Sequence, residues 1–326
     1  MSAAAVPEGG ASPAAGPVRR AFAGAGRALT RFGSFLRARP SAAVGLGLLV
    51  VIVGISVISP WIAPYSTDMA SGPVYAAPSV HHWLGTDDGG IDVLSLVLRG
   101  GRISIVVGVA ATAVAMGVGG TVGLLSGYFG GWVDMTLMRI TDYFLVVPDL
   151  VLMIVVATLW GPSLSHVILV IGLLLWTSTA RIVRAEVQSV RERVYVRRAR
   201  TMGVRSVSII WRHVLPQIAP LLIANTVLSV ATAIFDETSL DFLGLGDPNG
   251  ISWGIILEHA NDRTAAAVGA WWVVVPAGVC IAAVIVACYL LGQALEDALN
   301  PRLRISHFAF RSWRLRPLVG RGPDAT

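Results

Sequence analysis

From Ala42 to Ala63 the chain carries no charged side chain, and neither do the runs 103–126, 164–180, 217–235 and 268–292. About 18 or more such residues are enough to cross a bilayer as an α-helix. Within hydrocarbon the backbone must satisfy its own hydrogen bonds, which a helix does inside one segment. A sixth candidate, 136–159, is less clean, because Arg139, Asp142 and Pro148 lie in its first half. The run 164–180 is short, which predicts burial against neighbours or a tilted entry. Composition agrees: 55% of residues are hydrophobic and 13% charged, beyond the roughly 50% apolar content of soluble domains. The expected fold is an all-α integral membrane protein with six transmembrane helices.

The basic residues set both orientation and chemistry. All 25 of them are arginine. A P-loop needs a lysine on the β- and γ-phosphates, so a process driven by ATP requires an ATPase on a separate polypeptide. A lysine Schiff base is excluded likewise. Arginines crowd the N-terminal tail, the loop 181–212 and the stretch from Arg302 to Arg321; Arg99, Arg102 and Arg263 fall on the other side. The excess of arginine in cytoplasmic loops then places both termini inside. Residues 1–40 read as a disordered basic cytoplasmic tail and 41–100 as the first span with an outer segment. Residues 101–300 read as the core of the bundle, and 301–326 as a cytoplasmic tail. Cys280 and Cys288 share one helix about 12 Å apart along its axis, too far for a disulfide.

The cytoplasmic loop 185–216 is patterned as two short amphipathic helices. Val187, Val190 and Val194 recur at helical spacing, and after Gly203 the pattern resumes with Val204, Val207, Trp211 and Val214. Each run has one apolar and one arginine-rich face. Gly203 suits the positive φ at which one helix ends and another begins. Pro216 lacks an amide hydrogen and is expected to stop the second helix before the fifth span. One reading is a loop whose arginines hold anionic headgroups; the other is a rigid protrusion that docks into a partner and transmits its motion.

The residues of this loop favour the second reading. Ala199, Gly203, Leu215 and Pro216, with Arg212 and His213 before the Leu-Pro pair, resemble the coupling loop of bacterial ABC importer permeases. Arg197 and Arg198 stand where that family usually has Glu and Ala. Further segments are similar to the dipeptide and oligopeptide permeases: His82 to Asp87 with Gly90 and Asp92; Gly127 to Asp134; Phe242 to Gly246 followed by Ser252, Trp253 and Gly254; and Asp297 to Arg302. Ile91 replaces the family's usual Arg, and Asp241 its common Ser. The resemblance covers roughly residues 80–304.

What the resemblance implies is a permease subunit in the bacterial inner membrane, forming half of a pathway for di- or oligopeptides or for another small solute such as nickel or haem. Its partners are a second permease subunit, two ATPases carrying ATP and magnesium, and an extracytoplasmic substrate-binding protein. Coupling to the ATPase falls to Arg197, Arg198, Ala199, Gly203, Arg212, His213, Leu215 and Pro216. The outer acids Asp87, Asp88, Asp92, Asp241 and Asp247 are expected to contact the binding protein. Asn225, Asp236 and Glu237 are candidates for the pathway or a gate; Asn225 suits an interhelical bond as well, and the two acids suit interfacial positions facing water. Trp271 and Trp272 read as interfacial anchors. The histidines show no metal-ligand spacing, and no cofactor is expected in this chain. An ion-coupled carrier usually has ionisable groups near the midplane; the first, second and last runs have none. A membrane enzyme would need a clustered acid, base or metal site, which the sequence lacks.

Overall fold

The computed structural model describes residues 33–299. Most of the N-terminal tail and all of the stretch after Leu299 lie outside the described residues. Of that tail, residues 33–38 are helical, and Arg39 reaches α-helical residues near the other end of the described chain, donating to the Ala294 carbonyl at 2.5 Å and pairing with Asp297 at 3.5 Å.

Ten α-helices follow within the described residues, and their only β feature is an isolated bridge between Thr86 and Asp92. They are α1 (Pro40–Ile62), α2 (Val93–Phe129), α3 (Gly131–Val146), α4 (Asp149–Trp160) and α5 (Leu164–Arg191), then α6 (Val194–Thr201), α7 (Ser206–Ile209), α8 (Leu215–Phe242), α9 (Trp253–Asp262) and α10 (Trp271–Leu299). Five spans are long and apolar enough to cross a membrane alone, and α3 with α4 makes a sixth if the bent pair counts as one.

That pair corrects the simple span expected at 136–159. The two helices meet at 86°. Val147 stands in extended conformation with ψ 134°, because the ring of Pro148 bars the residue before it from the helical region.

The centre of the bundle is the pairing of α2 with α5. Gly119, Gly123 and Gly127 recur every fourth residue, so they line one face of α2. A Cβ on Gly123 would lie 2.5 Å from the Ala180 carbonyl oxygen and one on Gly127 2.8 Å from that of Arg184. Small residues at this spacing let two helix backbones touch where lipid supplies no hydrophobic drive for association. Ala111 and Ala115 extend the contact, wholly buried.

α5 also runs past the end of its apolar run at Ala180. Its polar extension holds because each arginine finds a partner. Arg181 meets Asp142 at 2.7 Å, Arg184 forks onto both oxygens of Asp134 at 2.5 and 2.7 Å, and Arg191 donates to the Gly127 and Tyr128 carbonyls at the end of α2. A bidentate guanidinium–carboxylate pair is the strong form of that contact.

Pro216 does not stop the helix before the fifth span. One π-helical turn, Ile210–Val214, joins α7 to α8, and Leu215 bonds back to the Ile210 carbonyl. The wider turn accommodates the missing N–H of Pro216 at the start of α8.

Candidate functional site

The segment expected to couple to an ATPase is built on the far end of α5. Val187 and Val190, expected to begin a separate helix, belong to α5 itself and are buried. They pack with Val196, Ala199, Ile209, Ile210, Val214 and Ile218 around Tyr128. The first short helix is α6, and Val194 at its start is exposed. α6 ends in a Schellman motif: Gly203 takes φ +75°, its N–H donates to Arg200, and the Val204 N–H donates to Ala199 at 3.1 Å. The geometry closes the helix and turns the chain at once.

The charged face of this segment is mostly free. Arg197 pairs with Glu192 and holds that carboxyl below its ordinary pKa. Arg193 reaches Gln217 at 2.9 Å, and Arg200 lies over the Tyr128 ring at 5.3 Å. Arg198, Arg205 and Arg212 are exposed without a carboxylate within 4 Å among the described residues. Beside them stand exposed Met202, Val207 and Trp211. His213 stacks on Tyr195 with ring centroids 6.3 Å apart. Leu215 packs against the valine core, and Pro216 is exposed. The result is a rigid knob, apolar inside and cationic with apolar spots outside, fused at one end to α5 and at the other to α8.

The opposite end of the bundle holds a buried polar cluster. Ser104 of α2 donates to Glu237 of α8 at 3.0 Å and accepts the Trp253 N–H at 3.3 Å. Trp253 in turn donates its indole N–H to the Val97 carbonyl at 2.9 Å. Ser252 caps α9 by accepting the Ile255 N–H at 3.0 Å and donates to Asp241. Gly254 leaves room for this: a Cβ there would sit 2.6 Å from that of Asp241. The Phe242–Gly246 stretch is a second Schellman turn, with Gly244 at φ +74° and Leu245 bonded to Leu240.

Two of the five acids expected to face a binding protein are therefore internal. Asp241 is 4% exposed and Asp92 1% exposed. Asp92 is the N-cap of α2, accepting from Ser95, and it also binds His82 Nδ1 at 3.0 Å. Both are consumed in holding the outer segments to the bundle, because buried carboxylates need partners. Asp87, Asp88 and Asp247 are partly exposed. Asp87 accepts the N–H groups of Gly89 and Ile91 at 2.9 and 2.8 Å, and burial raises its pKa, with Asp88 adding to the rise. Asp88 pairs with Arg263. Trp272, too, does more than anchor: its indole N–H bonds to Thr86, tying the outer loop to α10.

Asn225 lies 8% exposed in α8 and points its amide at Met116 Sδ of α2, 3.5 Å away. That is the interhelical reading. Glu237 is buried at 1% exposure, while Asp236 beside it is partly exposed. The acid pair is thus split between the inside and the rim. Sequence reasoning missed Ser104 and the Asp134–Arg184 pair, and it named Ser252 only within a motif, without its bond to Asp241. For Asp134 a signal was present, since it ends the Gly127–Asp134 motif.

Comparison with known proteins agrees with this architecture. Residues 119–305 match the family described as binding-protein-dependent transport system inner membrane component. Residues 31–78 match the N-terminal TM domain of oligopeptide transport permease C. The oligopeptide transport system permease protein OppC of Mycobacterium tuberculosis is 38% identical over 274 residues, 83% of this chain and 93% of the relative. The dipeptide transport system permease protein DppC of Alkalihalophilus pseudofirmus is 33% identical over 273 residues, 82% of this chain and 88% of the relative. The glutathione transport system permease protein GsiD of Pectobacterium atrosepticum is 33% identical over 273 residues, 83% of this chain and 89% of the relative.

Proposed function

The chain belongs to the binding-protein-dependent inner membrane components and is a multi-pass permease subunit of an ABC importer; from that premise we propose that it forms half of a pathway for di- or oligopeptides. The cargo reading is supported by the printed names of its relatives, which are oligopeptide, dipeptide and glutathione permeases. A second permease subunit supplies the other half. An extracytoplasmic binding protein delivers the cargo, and ATP with magnesium acts on separate ATPase subunits. Both termini face the cytoplasm, on the side of the arginine-rich coupling segment.

The observation that carries the mechanism is the continuity of the coupling segment with two long helices. A push on α6 or α7 reaches the valine core and, through it, α5 and α8 together. α8 ends at Glu237 and Asp241, so one rigid element joins the ATPase side to the outer cluster. ATP binding then shifts the population of a two-state bundle, with the bias set by the docked ATPases. The exposed arginines of the knob call for an acidic groove on the ATPase, in place of the pairing the family's usual glutamate makes.

Reconstitution tests this reading. The permease, its partner subunits and the binding protein in proteoliposomes should take up labelled peptide only with ATP. Uptake driven by an ion gradient without ATP would overturn the coupling. ATP-driven uptake of some other solute, with peptides excluded, would keep the permease role and replace the cargo.

A further inference from the structure

A cleft of about 510 Å³ opens at the outer end of the bundle, between the end of α1, the first turns of α2 and the loop before α9. Its cationic wall is Arg99 and Arg102, three residues apart and so on one face of α2. Thr67, Asp68 and Asn249 are further polar groups around it. Among the described residues no carboxylate lies within 4 Å of either guanidinium, Asp68 included. Arg39, Arg181, Arg184 and Arg263 each have an acid, whereas Arg198, Arg205 and Arg212, which also lack one, are exposed on the knob at the other end of the bundle. Arg99 donates from Nη1 to Thr67 Oγ1 at 2.9 Å, yet its Nε–H is buried with no acceptor.

An orphaned buried donor on a charged group calls for an explanation, and exposed Arg102 places a second guanidinium on the same face with no carboxylate beside it. The cleft sits where the charge-free run of α2 begins, at Ile103, and where α5 begins, at Leu164. It therefore lies at the outer boundary of the hydrocarbon. Its wall continues into the buried acid cluster, because Ile103, Leu164 and Gly250 also border Glu237 and Asp241.

We propose that Arg99 and Arg102 form an oxyanion-binding site at the outer mouth. The oxyanion is the carboxylate end of a peptide in transit or the phosphate of an outer-leaflet lipid; both present the oxygens a guanidinium fork matches. The carboxylate source rests on the peptide reading above, and the phosphate source does not.

The test uses the assembled importer carrying Arg99→Gln and Arg102→Gln together. One arm compares ATP-driven uptake of a tripeptide with that of its C-terminal amide. Any preference of the binding protein cancels when the variant's carboxylate-to-amide ratio is set against that of the wild type. A carboxylate site lowers this ratio roughly tenfold. The other arm measures phosphatidylglycerol retained after extraction from mixed bilayers; a phosphate site loses it in the variant while the uptake ratio holds. No change in either arm overturns the proposal. Failure of the wild type to take up any peptide overturns the cargo reading instead, and the lipid arm then decides alone. Should the Gln pair fail to assemble, Arg99→Lys with Arg102→Lys keeps the charge and loses the fork, and is judged by the same two readouts.

Discussion

Ser104 on α2 donates to the carboxylate of Glu237 on α8 across 3.0 Å, with both side chains closed off from solvent. The bond joins two helices 133 residues apart in sequence, and the same hydroxyl accepts from Trp253. Ser104→Ala therefore removes a partner from a buried carboxylate and a buried amide at once. Leaving a buried polar group unsatisfied costs about 1–3 kcal/mol. We expect a lower melting temperature of the purified complex and loss of the outer segment's protection in hydrogen exchange. A melting temperature equal to the wild type's would show that the cluster is not structural.

The glycine stripe of α2 makes a paired prediction. Gly123→Ala puts a methyl 2.5 Å from the Ala180 carbonyl oxygen, whereas nothing lies within 4 Å of the same methyl at Gly117. Overpacking costs about 1–3 kcal/mol, so Gly123→Ala should lower folded yield in detergent. Gly117→Ala should hold or raise it, since alanine is the better helix former.

At Gly203 the added methyl meets nothing, but φ is +75°. Gly203→Ala pays only the left-handed backbone penalty, roughly 1–2 kcal/mol. We expect ATPase docking and peptide uptake to fall together, with Gly203→Asn retaining more of both, because asparagine tolerates that region. Equal loss in the two variants would point to a side-chain effect instead.

Arg198→Glu combined with Arg212→Glu reverses two exposed charges that have no carboxylate within 4 Å among the described residues. If an acidic groove receives them, co-purification of the ATPase should drop sharply and the wild-type complex should loosen with added salt. Docking that ignores both changes would leave the apolar Met202, Val207 and Trp211 as the whole contact.

Asp87 titrates above its ordinary value of 3.8 because burial penalises its charge. An acid whose folded pKa is raised costs the fold stability as pH climbs from the unfolded value through the folded one. Asp87→Asn keeps an oxygen for the Gly89 and Ile91 amides and never acquires the charge. The variant should match the wild type at the acid end of that window and exceed its melting temperature above it. A variant less stable than the wild type at neutral pH would mean the charge itself is needed, for instance against Arg263.

Much of this molecule was legible in its sequence. The spans follow from charge-free length, a local property that the bilayer thickness tests directly. Gly203 announces its turn, because only the conformation of one residue is at stake. Apart from the bend that Pro148 imposes on its neighbour Val147, the departures turn on packing and on partners from other segments. α5 outlasts its apolar run because Asp134, Asp142 and the end of α2 receive its arginines. The chain runs helically through Pro216 by means of a π-turn, a choice made by the packing on both sides. Asp92 and Asp241 read as surface acids and are an interior cap and an interior link: Asp92 caps α2 through Ser95 and is covered by His82, and Asp241 faces Ser252, folded back from the next segment. Hydrophobic length is decided by the residues themselves; the fate of each polar group is decided by what the fold brings within 3 Å of it.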